Sequence, residues 1–96
     1  MSEKAYKPQK ATGISVETFY DAQDAAMQEK SPGKRTNLLR YSVLLLARVE
    51  PMPTLDEFRA LPDDEIDALV RECKQLNPRH FDLPQEEPGG EKKSAS

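Results

Sequence analysis

The apolar residues of this chain gather in stretches with a helical period, each closed by a break that carries proline. In the first stretch Val16, Phe19, Tyr20, Ala26 and Met27 fall within about 120° of one another at 100° per residue, and Asp21, Asp24 and Glu29 take other faces. Ser15 has the character of an N-cap for this helix, with Glu17 well placed in its first turn. Ser31-Pro32-Gly33 stops it and starts the next, because serine suits the cap and proline suits the first helical position.

The second helix is expected from about Lys34 to Val49 and is the most apolar part of the chain. A strand is the rival reading of Val43-Leu44-Leu45-Leu46, but the length of the stretch and its excess of leucine over β-branched residues decide for helix. Its apolar positions cover roughly 240° of the wheel, against the 100° or so needed to bury one face. Arg40 and Arg48 occupy the remaining wedge, with Leu44 between them. Glu50-Pro51-Met52-Pro53 ends it, since both prolines lack an N–H and restrain the residue before them. Thr54-Leu55-Asp56-Glu57 has the spacing of a capping box and opens a short helix ending near Leu61. Pro62 begins the last helix, whose stripe is Ile66, Leu69, Val70, Cys73 and Leu76, with Asp63, Asp64 and Glu65 at its positive end. Asn77-Pro78 closes it.

The expected fold is therefore all-α: a small bundle of three main helices plus one short one, spanning residues 14–78. Residues 1–13 carry Lys4, Lys7 and Lys10 with almost nothing apolar and read as a flexible arm. Residues 79–96 are rich in Pro, Gly and charge and read as a disordered tail, although Phe81 and Leu83 are able to pack back.

Ninety-six residues with 36% apolar content leave only a thin core once the polar ends are set aside. Such a core rarely supplies more than about 3 to 5 kcal/mol, and small domains usually add a disulfide, a metal or a partner. Cys73 is the single cysteine and His80 the single histidine, so no internal disulfide forms and association with another chain is the expected stabiliser. A net charge of −3 and a pI near 5.2 argue against bulk attraction to nucleic acid or an anionic membrane. With no long apolar run and no apolar signal core, the chain is placed in the cytoplasm.

Catalytic chemistry is not written in the sequence, and the chain is read as a non-enzyme without cofactor or metal. Cys73 lies on an apolar stripe and reads as core, and His80 reads as a solvated side chain. The four glycines form no phosphate-binding loop, and the acidic run from Asp63 to Asp67 lacks the EF-hand spacing. The two helices from Thr54 to Leu76 resemble a helix-turn-helix in outline, but seven acidic residues against three basic ones disfavour DNA. Lys30, Lys34, Arg35 and Arg40 form a weak basic group without interleaved aromatics, more in keeping with a solvated face.

The order of segments carries a resemblance. A capped first helix, L-L-R-Y-S-V-L-L-L-A-R-V, a proline break, T-L-D-E-F-R-A-L-P-D-D-E-I-D-A-L and a closing L-N-P resemble the tail assembly chaperones of long-tailed bacteriophages across Ile14 to Pro78. The resemblance implies a host-cytoplasmic chaperone that coats a long helical client, the tape measure protein, keeps it soluble and is absent from the finished virion. Self-association is a second expected interaction. The other class of function is a small acidic regulator or inhibitor whose final helix occupies a basic site on a nucleic-acid enzyme; salt would weaken that contact and leave an apolar one intact. For the contact site the sequence offers Arg40, Tyr41, Leu44, Ala47 and Arg48, an apolar centre rimmed by two arginines. Against it stands the plainer view that the second helix is the central one, covered on several sides.

Overall fold

A computed structural model describes residues 6–81, and it is all-helical among those residues. Four α-helices follow in order: α1 (Gly13–Met27), α2 (Pro32–Leu46), α3 (Leu55–Arg59) and α4 (Asp63–Leu76), with a single 3-10 turn at Pro78–His80. The three main helices and the one short helix are those the periodicity predicts. Most of their boundaries differ from the expected ones, and each difference has a local cause.

Helix α1 begins earlier than Ser15. Thr12 is its N-cap, accepting from the Ser15 N–H at 3.1 Å, while the Ser15 hydroxyl oxygen accepts from the Thr12 N–H at 2.8 Å. Two hydroxyl residues three positions apart thus make a reciprocal capping box, and Ser15 is its inner member, buried instead of flanking the helix. At the far end of the α1–α2 connection, the Glu29 carboxylate accepts from the Ser31 N–H at 3.0 Å. Arg35 donates back to the carbonyls of Glu29 and Lys30, so this member of the basic group serves to brace the loop.

Helix α2 stops at Leu46, short of Val49. Arg48 lies in the left-handed region at φ 50°, and the Arg48 and Val49 N–H groups return to the carbonyls of Leu45 and Leu44. This is the paired closure of a Schellman end, made here by an arginine where glycine is the usual residue. Helix α3 has the capping box read from the sequence: the Thr54 hydroxyl accepts from the Glu57 N–H at 3.1 Å and the Glu57 carboxylate from the Thr54 N–H at 3.0 Å. In α4, Pro62 is the N-cap, one position outside the helix, and Ile66, Leu69, Val70 and Cys73 are buried as the stripe requires.

The largest departure lies at the N-terminus. Residues 6–12, expected within a flexible arm, form an extended strap across the bundle. Lys7 and Glu50 exchange backbone hydrogen bonds of 2.8 and 3.0 Å, and the Gln9 N–H donates to the Ala47 carbonyl. Asn77, buried at the end of α4, then accepts from the Ala11 N–H at 2.8 Å and donates to the Gln9 carbonyl at 3.1 Å. Sequence hydropathy misses the strap because backbone groups, the buried Asn77 amide and two exposed side-chain bonds, Gln9 to the Arg48 carbonyl and Arg48 to the Lys10 carbonyl, hold it, with only Tyr6 and Ala11 packed on the core. At the other end Phe81 does fold back, its ring 5.7 Å from that of Phe19 and under the Lys74 ammonium. The folded unit therefore reaches beyond 14–78 on both sides, while residues 1–5 and 82–96, including Leu83, lie outside the described residues.

Helix α2 is the centre. Its residues Ser42, Val43, Leu44 and Leu46, with the C-cap Ala47, are all buried and spread over about 200° of the wheel, so this helix is covered from several directions. Phe19 from α1, Phe58 from α3 and Cys73 from α4 reach it from those directions. No helix among the described residues is long and apolar enough to cross a membrane.

Candidate protein-contact surface

The five residues offered by the sequence do not form a surface. Leu44 and Ala47 are 0% exposed and belong to the core. Tyr41 packs edge-on against Phe58, 5.3 Å between ring centres, and its hydroxyl donates to the Pro53 carbonyl at 2.7 Å. Burial raises the Tyr41 phenol above its ordinary pKa, with the Glu57 carboxylate adding to the shift. Arg40 turns its guanidinium toward α4, where Nη1 meets Asp63 and Asp67 at 3.0 Å each and Nη2 donates to Asn37 at 2.7 Å. Arg48 lies past the end of α2, and its side chain donates to the Lys10 carbonyl at 3.3 Å.

The polar wedge is closed for a physical reason. Two arginines mark a solvent face only if both extend into water from a continuing helix. Here one spans to the neighbouring helix and the other belongs to the turn, so Leu44 between them faces protein. Of Asp63, Asp64 and Asp67, the acids expected to enter a basic site on an enzyme, Asp63 and Asp67 share Arg40 within the bundle while their side chains stay 78% and 56% exposed. Cys73 is buried, and that burial pushes its thiol up to about 12, with Glu72 adding to the shift. It is a structural residue with little thiolate at neutral pH.

A different face is open. Val16, Tyr20, Gln23 and Met27 follow the spacing i, i+4, i+7, i+11 along α1 and fall within about 60° of one another. Phe19 and Ala26, on the side facing α2, are buried, whereas Tyr20 is 51% and Met27 64% exposed. The row lies along the border between the buried side of α1 and solvent. Near its middle the Tyr20 ring stands edge-on to Phe19 at 5.0 Å and to His80 at 6.5 Å, which gives His80 a packed position instead of a freely solvated one. Sequence reading misses this row by counting Tyr20 and Met27 into the core stripe. The available signal is width: a stripe of about 120° on a helix at the edge of a small bundle exceeds what one neighbour covers. Ile14, 77% exposed, sits on another side of α1 and is an isolated surface residue.

The fold defines the class of protein, a small all-helical bundle that leaves Tyr20 and Met27 open on its first helix. No family model, curated protein or solved structure matches the chain.

Proposed function

We propose that this chain is a binding protein and not an enzyme, acting as an assembly chaperone that covers a helical segment of a larger client in the cytoplasm. The observation that supports this reading is the row on α1, where Tyr20 and Met27 present apolar surface at helical spacing on an otherwise well-packed bundle. Aromatic and methionine side chains at the open border of a rigid helix are the residues that most often anchor protein contacts. Spacing of i, i+4, i+7, i+11 matches a second helix laid alongside. The resemblance of Ile14 to Pro78 to phage tail assembly chaperones points to the same kind of client, a long helical protein such as a tape measure protein.

The test is co-expression with a phage tape measure protein as the long helical client, measuring the soluble fraction of the client. Wild type should raise it, and Tyr20→Asp with Met27→Asp should abolish the effect while the variant keeps its helicity. A client that stays equally soluble with the variant would refute the reading.

A further inference from the structure

The open row on α1, apolar except for Gln23, has a neighbour of opposite character. Glu17, Asp21 and Asp24 are all exposed and repeat the same spacing one residue further on, so an acidic row runs beside Val16, Tyr20 and Gln23. Helix α1 contains no lysine or arginine, and none of its three acids takes part in an ion pair among the described residues. Charge of one sign along the rim of an apolar contact selects the partner, because opposite charge steers the encounter and like charge across an interface is costly.

We infer that the α1 surface, taken with the reading above, accepts an amphipathic helix whose apolar stripe is bordered by lysine or arginine. The seam from Val16 to Met27 is about 16 Å long at 1.5 Å per residue, enough for roughly three turns of such a helix. A partner helix seated on Tyr20 and Met27 brings one flank of its side chains toward Asp24 and Glu17, with Asp21 further round the same side. A second copy laid antiparallel on α1 fits poorly, since that pairing sets one acidic row beside the other, and a parallel copy sets each acidic row against the opposite flank of an α1 that offers it no lysine or arginine. The partner is therefore a different chain, and the self-association expected from the sequence does not use this face.

Two synthetic helical peptides of about 18 residues, five turns, provide the probe. Both carry the same leucine stripe, bordered in one by lysine and in the other by glutamate. Binding to the full chain is followed by fluorescence anisotropy at low and high salt. The lysine peptide should bind about tenfold or more tighter at low salt, and the gap should close at high salt. Glu17→Gln, Asp21→Asn and Asp24→Asn together should remove the gap, and the corresponding lysine variant should invert it. Tyr20→Asp should weaken both peptides. Equal affinities, no binding of either peptide, or a gap that survives the neutral triple variant would overturn the inference. A wild-type dimer that Tyr20→Asp converts to monomer would assign the seam to a second copy and overturn it as well. If client solubility depends on Tyr20 and Met27 while the peptides are not discriminated, the partner's charge is wrong and the binding role stands. If neither result appears, both fall.

Discussion

Asn77 joins the end of α4 to the N-terminal strap, and Asn77→Ala measures how much that junction contributes. The side chain is nearly buried, accepts from the Ala11 N–H at 2.8 Å and donates to the carbonyls of Gln9 at 3.1 Å and Cys73 at 3.3 Å. The Cys73 carbonyl keeps the backbone N–H of residue 77, so the substitution orphans two groups, the Ala11 N–H and the Gln9 carbonyl. A buried donor or acceptor left without a partner costs about 1 to 3 kcal/mol, and partial access of water to the strap puts the total at about 2 to 4 kcal/mol. A domain whose thin core supplies about 3 to 5 kcal/mol would lose most of its stability, or would release the strap to avoid that loss. Urea unfolding separates stability from compactness through the midpoint and the slope, and amide exchange reports the strap directly. The Ala11 amide should exchange much faster in the variant, followed by Gln9 and Lys7, with the amides of α2 affected least. Asn77→Asp keeps an acceptor for Ala11 but sets a carboxylate against the Gln9 carbonyl, so it should also destabilise. An unchanged midpoint together with unchanged protection at Ala11 would show that the strap is held by something other than this amide.

Leu44→Ala should cost about 2 to 5 kcal/mol, leaving the variant largely unfolded by circular dichroism, whereas Tyr20→Ala on the open row should shift the midpoint little; a folded Leu44 variant with a wild-type midpoint would contradict its core position. Arg48→Gly relieves a left-handed arginine at φ 50° and should stabilise by up to about 1 kcal/mol in thermal melts, less whatever the side-chain bond to Lys10 contributes. The Cys73 thiol, which in an unstructured chain titrates near 9.0, is pushed up to about 12 in the folded protein. Below pH 9 it is protonated in both states and adds no pH dependence; above that the unfolded chain releases the proton first. Stability should therefore fall by up to about 1.4 kcal/mol per pH unit between these values, and Cys73→Ala should flatten that part of the pH profile.

Three features of this fold follow from local rules and were legible in the sequence. The apolar periods of residues 16–27, 38–47 and 66–76 specify helices because nothing else buries those side chains on one face. Pro51 and Pro53 deny the backbone its helical hydrogen bonds and keep the second stretch from running past residue 50, although α2 itself already closes at Leu46 through the turn at Arg48. Thr54 and Glu57 cap α3 reciprocally because their spacing puts each side chain beside the other's N–H. Cys73 was legible as core for the same reason as the helices, since it repeats on the stripe of Ile66, Leu69 and Val70.

The contact surface depended on how the helices meet, and periodicity within one helix carries no record of its neighbours. Arg40 looked like a solvent marker until α4 brought Asp63 and Asp67 within 3.0 Å of it. Leu44 looked exposed because its neighbours on the wheel were charged, and packing from several sides buried it completely. Tyr20 and Met27 looked buried because they extend an apolar stripe, and they stay open because the packed side of α1 is narrower than that stripe. The strap was hidden most thoroughly: most of its bonds are made by backbone groups at residues 7, 9 and 11, which nearly every sequence possesses, and they acquire partners only when Glu50, Ala47 and Asn77 arrive beside them.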